Sequence, residues 1–284
     1  MKREGTKLEK RHRGVFDPSH PAPYELSRSR IENFIKCRAC FWLEQRKGVK
    51  PPEIPSFTLN TTTDILLKRD ADAVRGHHTL PLWEAHGLGH MIPLEHPDLE
   101  KWTNSMQFGT NDSYFNFVHE ETNIKLGGGL DDVFLNCETG QFHIIDYKST
   151  AQGTRSPEKY QKRPVSINEP WKVSYKRQMD MYVWIMQNKG FDVSNTGYFV
   201  YVDAQHKDIQ GMLRGRDTSK AWMEFAVSII PYLANTSWIE PTLREIKEFL
   251  INQSTCPSHE PRGDSFSGCD LGRYAEEMMA AIRS

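Results

Sequence analysis

The sequence predicts an α/β protein in which a central mixed β-sheet is flanked by helices. Short apolar or alternating segments at residues 114–120, 123–135 and 141–149 are separated by polar or glycine-rich turns, which is typical of consecutive strands. A helical spacing of apolar residues follows at residues 173–187, and residues 196–204 again have the pattern of a strand. Strands and helices in this order favour a layered α/β domain.

The strand-rich region is predicted to lie inside one large domain. Residues 1–26 are polar, basic and interrupted by proline, so we expect a flexible lead-in. Residues 27–284 are expected to form a single domain, because a chain of this length can bury one sizeable core. Its central part is expected at about residues 110–205, with helical parts at 27–100 and 217–284.

The helical parts are predicted from start signals and from apolar spacing. Ser29 followed by Glu32 has the pattern of a capping box, which predicts a helix that carries Cys37 and Cys40 on one face. Further helices are predicted at about residues 64–75, 218–234 and 242–252, with a short helix near residue 284.

Composition and charge exclude several classes of protein. Apolar residues make up 38% of the chain and charged residues 26%, which argues against disorder. No apolar run follows the N-terminal charges and no stretch of about 18 apolar residues occurs, so we expect an intracellular, cytoplasmic protein without a membrane span. Five cysteines in such a chain favour thiols or metal ligands over disulfides. The net charge of -1 lacks the basic footprint of a nucleic-acid-binding protein, although basic residues cluster locally.

The segment IIDYKST places a carboxylate and an ammonium group together. Side chains alternate along a strand, so Asp146 and Lys148 are predicted on one face and Tyr147 on the other. A hairpin through the turn NCETG would bring either Asp131 or Asp132 beside Asp146. Two carboxylates from adjacent strands suit Mg²⁺, which is commonly held by one or two carboxylates, water and substrate phosphate.

This arrangement is suited to the hydrolysis of a phosphodiester bond. A bound divalent cation polarises a phosphoryl oxygen and lowers the pKa of a bound water. Lys148 could orient that water or stabilise the developing negative charge. A D-x-K pattern alone is common and is equally typical of a surface salt bridge at the end of a strand, so the neighbouring motifs decide its interpretation.

Three motifs occur in a fixed order: GGLD at 128–131, IIDYK at 144–148 and QMDMY at 178–182. Together they resemble the RecB-like branch of the PD-(D/E)XK nucleases, which includes CRISPR-associated exonucleases and the nuclease domains of helicase-nucleases. The resemblance implies a restriction-endonuclease-like core. It also implies that Mg²⁺ or Mn²⁺ is bound and that the catalytic and metal-binding residues are Asp131, Asp146, the backbone carbonyl of Tyr147, Lys148, Gln178 and Tyr182. If Gly128 starts the GxxD motif, Asp131 is the ligand and Asp132 faces away, and this is the assignment that we prefer.

The segment LSRSRIENFIKCRACFWLEQ is similar to the N-terminal helix of the same branch. Members of this branch often place a histidine metal ligand on the next helix, ahead of the GxxD strand. Here Asp64 stands at the corresponding place, which leaves the third ligand open between Asp64 and a histidine. The candidate histidines are His77, His78, His86 and His90.

The cysteines are interpreted through the same resemblance. Many members of the branch bind a [4Fe-4S] cluster with one N-terminal and three C-terminal cysteines. This chain departs from that pattern, because its C-terminal part has only Cys256 and Cys269, with His259 between them. Three hypotheses therefore stay open: a cluster on Cys37, Cys40, Cys256 and Cys269; zinc on Cys37, Cys40, Cys269 and either Cys256 or His259; or no metal. Cys137 is expected to take no part.

The leading functional hypothesis is a Mg²⁺- or Mn²⁺-dependent deoxyribonuclease. The resemblance implies an exonuclease or end-processing enzyme that acts on single-stranded or end-containing DNA, with protein partners in repair, recombination or CRISPR adaptation. The loop after the catalytic strand is predicted to contact phosphates through Lys159, Lys162, Arg163 and Lys172. A non-catalytic subunit that binds DNA ends is the alternative, and an enzyme of restriction or phage recombination would have the same site.

Overall fold

The computed structural model describes residues 11–50, 57–152, 163–207, 209–215, 217–260 and 269–283. The chain forms two compact units. The terminal unit draws on Met1–Ile54, Glu100–Gly129 and Thr236–Ser284, and the central unit on Pro55–Leu99 and Leu130–Asn235.

The described elements follow one another along the chain as short strands and helices. In chain order they are β1 (Tyr24–Ser27), α1 (Arg28–Lys36), α2 (Arg38–Lys47), α3 (Thr58–Asp72), α4 (Pro81–Ala85), β2 (Met91–Pro93), α5 (Leu99–Thr103), β3 (Asn116–His119), β4 (Ile124–Gly127), β5 (Asp132–Asn136), β6 (Phe142–Thr150), a 3₁₀-helix (Pro170–Lys172), α6 (Val173–Asn188), β7 (Thr196–Ala204), β8 (Phe225–Leu233), α7 (Ile239–Asn252) and α8 (Asp270–Arg283). This mixture of strands and helices confirms the predicted α/β class.

Within the described residues, the central unit contains a mixed sheet in the order β2-β5-β6-β7-β8. β5 and β6 are antiparallel and joined through the predicted NCETG turn, whereas β6 and β7 run parallel. The parallel pair requires a crossover, and α6 provides it. α6 is buried continuously from Gln178 to Met186 and contacts β6.

The terminal unit has a separate sheet in the order β1-β4-β3 among the residues that the structure describes. β1 and β4 are parallel, and β3 and β4 are antiparallel. The prediction that the strands of residues 114–149 belong to one sheet is wrong. The glycine-rich segment after β4 separates two sheets, because β4 and β5 pair with different neighbours.

The first predicted helix is in fact two helices that meet at Cys37. The N-cap of α1 is Ser27, two residues before the predicted cap Ser29, and the Ser27 side chain forms no cap hydrogen bond. Cys37 is extended, with φ -160° and ψ 108°, and its sulfur accepts a hydrogen bond from the backbone amide of Cys40. Cys37 therefore caps α2 instead of sharing a helical face with Cys40.

The helix predicted at residues 218–234 is also wrong, because this region contains the strand β8. β8 pairs antiparallel with β7 along its whole length, from Phe225 opposite Ala204 to Leu233 opposite Thr196. Its β-branched residues favour an extended strand. Pro231 cannot donate a backbone hydrogen bond, and the edge position of β8 tolerates it.

The other predicted helices are confirmed with changed ends. The helix expected from residue 64 begins earlier, at Thr58, and those expected at 173–187 and 242–252 correspond to α6 and α7. None of the described helices is both long and apolar enough to cross a membrane.

Candidate functional site

The strand β6 presents Asp146 and Lys148 on one face, as its alternation predicts. The carboxylate of Asp146 is 1% exposed, and its Oδ2 forms an ion pair with the Nζ of Lys148. Tyr147 points to the other face, where its hydroxyl donates to Oδ2 of Asp132 at 3.2 Å. The side chains needed for the predicted chemistry thus share a face of the sheet.

Asp131 and Asp132 are separated in the same way. Oδ2 of Asp131 accepts a hydrogen bond from the backbone amide of Tyr147 at 2.9 Å, which holds this carboxylate against β6. Asp132 is buried, and its two oxygens accept hydrogen bonds from Arg75, each at 3.0 Å. Asp132 is therefore part of a buried ion pair, whereas Asp131 lies beside the backbone of the motif strand.

The helix α3 brings Asp64 and Lys68 to this region. The pKa of Asp64 is raised to about 6, first by burial and then by the charge of Asp131, while Lys148 and Lys68 oppose the shift. The Nζ of Lys68 lies 3.8 Å from Oδ1 of Asp131. Sequence analysis did not identify Lys68, although its position four residues after Asp64 places both on one helical face.

The helix α6 supports the carboxylate and the ammonium of β6. Nε2 of Gln178 donates to Oδ1 of Asp146 at 2.7 Å and lies 3.4 Å from the hydroxyl of Tyr182. The Nζ of Lys148 lies 5.0 Å from the centre of the Tyr175 ring, a cation–π distance. Tyr175 was also missed from the sequence, although it precedes Gln178 by three residues on the same face of the helix.

The charge of Lys148 is maintained by its acidic neighbours. Burial lowers the pKa of this lysine, but the charges of Asp146 and Asp131 and the hydrogen bond that the ammonium donates to Asp146 outweigh burial and raise it. The side chain therefore remains an ammonium ion at neutral pH. We refer to Asp64, Asp131, Asp146 and Lys148 as the carboxylate site.

The oxygen ligands of this site suit Mg²⁺ or Mn²⁺, which prefer carboxylate and carbonyl oxygens. Asp131 directly precedes β5, and Asp146 lies on the neighbouring strand β6. The Tyr147 carbonyl lies 3.3 Å from Lys148 Nζ, and the charge of Asp131 acts on Asp64. A cation would oppose both causes that raise the pKa of Asp64, first its burial and then the charge of Asp131. Within the described residues, the oxygens of the three carboxylates do not all lie close to one another. Asp146 is instead paired with Lys148.

The histidines considered as a third ligand do not join this group in the part of the chain that the structure describes. They are His77, His78, His86 and His90, in the connection that follows α3. His86 instead has its Nδ1 2.8 Å from the carbonyl of Leu82. Asp64 is thus the third acidic side chain that the fold brings to the carboxylate site.

The basic residues predicted to contact phosphates are placed differently from one another. Lys159 and Lys162 lie outside the described residues, and Arg163 is exposed. Lys172 is buried, and its Nζ donates to the carbonyl of Ser166 at 2.6 Å and lies 4.8 Å from the centre of the Tyr201 ring. The ammonium of Lys172 thus already contacts protein groups, and its contact with phosphate stays a prediction.

The terminal unit brings together three cysteines and one histidine. The potential ligand atoms of Cys37, Cys40, His259 and Cys269 all lie within 4.8 Å of one another. Cys256, which the four-cysteine hypothesis included, is exposed, and its thiol lies 3.4 Å from the carbonyl of Pro257. Cys137 is exposed as well. We refer to the group of three cysteines and His259 as the cysteine site.

The thiols of the cysteine site are packed closely. Sγ of Cys40 lies 3.1 Å from Sγ of Cys269. Nδ1 of His259 lies 3.5 Å from Sγ of Cys37 and 3.6 Å from Sγ of Cys40. Burial, followed by the hydrogen bond with Cys269, raises the pKa of the Cys40 thiol, so the protein without a cation disfavours the thiolate form.

One comparison with known proteins gives a match. The model of the PD-(D/E)XK nuclease superfamily matches residues 25–258, a range that includes the whole carboxylate site. No curated protein and no solved structure matches the chain.

Proposed function

Because the chain belongs to the PD-(D/E)XK nuclease superfamily, we propose that it is a metal-dependent nuclease that hydrolyses phosphodiester bonds of DNA. One observation carries this proposal: the carboxylate of Asp131, which directly precedes β5, accepts a hydrogen bond from the backbone of β6 between Asp146 and Lys148, and these two residues form an ion pair. The finer proposal, that the enzyme processes DNA ends, rests on the resemblance of its three ordered motifs to RecB-like nucleases.

The carboxylates of Asp131 and Asp146 and the carbonyl of Tyr147 would hold the cation, with Asp64 as a further ligand. When bound there, Mg²⁺ or Mn²⁺ polarises a phosphoryl oxygen and lowers the pKa of a bound water. Asp64 has a raised pKa in the protein without a cation, so a neighbouring positive charge favours its ionised form.

Lys148 supplies a fixed positive charge to the reaction. Its ammonium pairs with Asp146 in the protein without a cation. Released from that pair, the same group can donate a hydrogen bond to a phosphate oxygen or to the attacking water, which stabilises the negative charge that develops in the transition state. Because its pKa is raised, Lys148 acts here as a cation and a donor, not as a general base.

Gln178, Tyr182 and Tyr175 are proposed as positioning residues. Gln178 fixes one oxygen of Asp146 through a 2.7 Å hydrogen bond and in turn contacts Tyr182. The ring of Tyr175 faces the ammonium of Lys148. Holding the carboxylate and the ammonium in one geometry reduces the reorganisation that the reaction requires.

The experiment is a cleavage assay on four labelled substrates: linear and circular DNA, each single- and double-stranded. Cleavage of the linear forms with Mg²⁺ or Mn²⁺, none with EDTA, and resistance of the circular forms are expected. Cleavage of circular and linear DNA at equal rates would contradict end processing. Binding of linear DNA without cleavage under every condition would instead favour the non-catalytic end-binding subunit.

Arg163 allows a second test, in which DNA affinity and its dependence on salt are measured. It is exposed in the loop that follows β6, and Gln152 donates to its backbone carbonyl at 3.2 Å. A phosphate contact by this guanidinium would make DNA affinity depend on salt. We expect Arg163→Ala to reduce both the affinity and the salt dependence, and an unchanged dependence would contradict the contact.

A further inference from the structure

Three cysteines and one histidine of the terminal unit converge from distant parts of the sequence. Cys37 and His259 are 222 residues apart, and Cys40 and Cys269 are 229 residues apart. We propose that Cys37, Cys40, His259 and Cys269 bind one tetrahedral zinc ion. This inference is independent of the nuclease activity proposed above.

The distances between the ligand atoms match a single ion. With Zn–S of about 2.3 Å and Zn–N of about 2.0–2.1 Å, a tetrahedral site separates nitrogen from sulfur by about 3.6 Å. Nδ1 of His259 lies 3.5 Å from Cys37 Sγ and 3.6 Å from Cys40 Sγ. The pair Cys40 and Cys269, at 3.1 Å, would separate to about 3.8 Å between sulfurs.

The same site does not fit the [4Fe-4S] cluster that the resemblance implies. Such a cluster is held by four thiolates, and each thiolate binds a different iron, so its sulfurs lie farther apart than those around one ion. The structure offers three thiols and an imidazole within 4.8 Å of one another. The fourth predicted cysteine, Cys256, is exposed and contacts the carbonyl of Pro257.

Backbone amides donate hydrogen bonds to two of the proposed ligand sulfurs. Cys37 directly precedes α2 and accepts a hydrogen bond from the Cys40 amide at 3.5 Å. Cys269 directly precedes α8 and accepts one from the Gly272 amide at 3.1 Å. The N-termini of two helices thus direct backbone amides at two of the proposed ligand sulfurs.

Gly272 also leaves room for the histidine. A methyl group added at Gly272 would overlap the imidazole ring of His259, including Nδ1. The glycine therefore has a steric role at this position, because its missing side chain lets the imidazole approach the three sulfurs. The ion would link Cys37 and Cys40, at the start of α2, to His259 and to Cys269, which directly precedes α8.

The first test is metal analysis of the full chain, purified with and without oxygen. We expect one zinc per chain with neither iron nor acid-labile sulfide in both preparations. Cys269→Ser and His259→Ala should lose zinc, whereas Cys256→Ser and Cys137→Ser, the matched controls, should retain it. Four irons with sulfide, or loss of zinc in Cys256→Ser, would overturn the assignment.

Cobalt substitution gives a second readout that does not depend on a variant that may fold poorly. Co²⁺ in the site should show the visible bands of tetrahedral coordination, with thiolate charge-transfer absorption corresponding to three sulfurs. His259→Cys should raise that absorption by about one third, because it adds a fourth thiolate to a Cys₄ site that zinc also accepts. Equal absorption in the two proteins would contradict His259 as a ligand. Absence of any tetrahedral cobalt spectrum under reducing conditions would contradict the metal site itself.

Discussion

The carboxylate site and the cysteine site gather their ligands in opposite ways. In the central unit, the residues of β5 and β6 are close in sequence, and Asp131 and Tyr147 are only 16 residues apart. In the terminal unit, ligands separated by more than 200 residues are brought together at the N-termini of helices. A site built on neighbouring strands follows from local alternation, whereas a site built on distant helix ends depends on the fold as a whole.

The two sites also differ in the chemistry of their ligands. The carboxylate site offers hard oxygens and retains a paired lysine, which suits a cation that exchanges with solvent and substrate. The cysteine site offers sulfur and nitrogen ligands close to one another, with Cys37 and Cys269 buried and Cys40 and His259 half-buried, which suits an ion that stabilises the fold. The first should therefore control the rate of reaction and the second the stability of the protein.

The largest effect is expected from Asp146→Asn. The substitution keeps the shape of the side chain and an oxygen for the Gln178 hydrogen bond, but it removes the negative charge. Cleavage of linear DNA should fall by at least about a hundredfold while the melting temperature stays close to that of wild type. A large loss of stability with little loss of activity would assign Asp146 to the fold instead.

The opposite result is expected from Cys269→Ser. The variant should lose zinc and melt at least about 5 °C lower, because the binding energy of a structural metal is part of the folding energy. Cys256→Ser serves as the control and should melt within about 1 °C of wild type, because its side chain is exposed. Equal melting temperatures of Cys269→Ser and wild type would contradict the role of the cysteine site in stability, and with it the difference between the two sites.

Gln178→Ala tests whether Gln178 supports metal binding by holding Asp146 in position. The substitution removes the hydrogen bond that fixes Asp146, so the Mn²⁺ concentration for half-maximal activity should rise about tenfold. Gln178→Asn, whose side chain is one methylene shorter, should not restore the affinity for Mn²⁺. An unchanged Mn²⁺ requirement with a lower melting temperature would indicate a purely structural role.

The smallest effect concerns the pH dependence of Asp64. The pKa of Asp64 in the folded protein, about 6, lies above its ordinary value of 3.8. Protonation of Asp64 therefore stabilises the folded protein fully below pH 3.8, and this stabilisation is lost as the pH rises through 6. In EDTA, Asp64→Asn should therefore be more stable than wild type above pH 6 and equal to it near pH 4. With Mn²⁺ at pH 8, wild type should instead be more stable than Asp64→Asn, because asparagine binds the cation more weakly than aspartate. A stability difference that does not change with pH would contradict the raised pKa.

The sequence predicts the carboxylate site better than its surroundings. Strand alternation suffices to place Asp146 and Lys148 together and to separate Asp131 from Asp132. Lys68 and Tyr175 were missed, because each reaches the site only through the packing of a helix against β6. Lys172 was assigned to DNA from its charge alone, and its burial depends on contacts with Ser166 and Tyr201 that no local pattern reveals.

The cysteine site was predicted only in part for the same reason. The spacing of Cys37 and Cys40 was visible, but the break between α1 and α2 was not, since Ile31 to Phe41 reads as one amphipathic helix. The choice between Cys256 and His259 depends on the path of the C-terminal segment, which a two-residue spacing does not determine. The helix predicted over β8 was wrong because its apolar spacing did not reveal the pairing with β7, which together with its β-branched residues makes this segment a strand.

The most direct test of the proposed function is the cleavage rate of Lys148→Ala, measured beside Lys220→Ala as a control. Lys220 is an exposed lysine that pairs with Asp217, so its removal should leave the rate unchanged. With Mn²⁺ and linear DNA, we expect Lys148→Ala to retain its fold and to cleave at least about a hundredfold more slowly than wild type. A folded Lys148→Ala protein that cleaves at the wild-type rate would contradict the assignment of the reaction to β6.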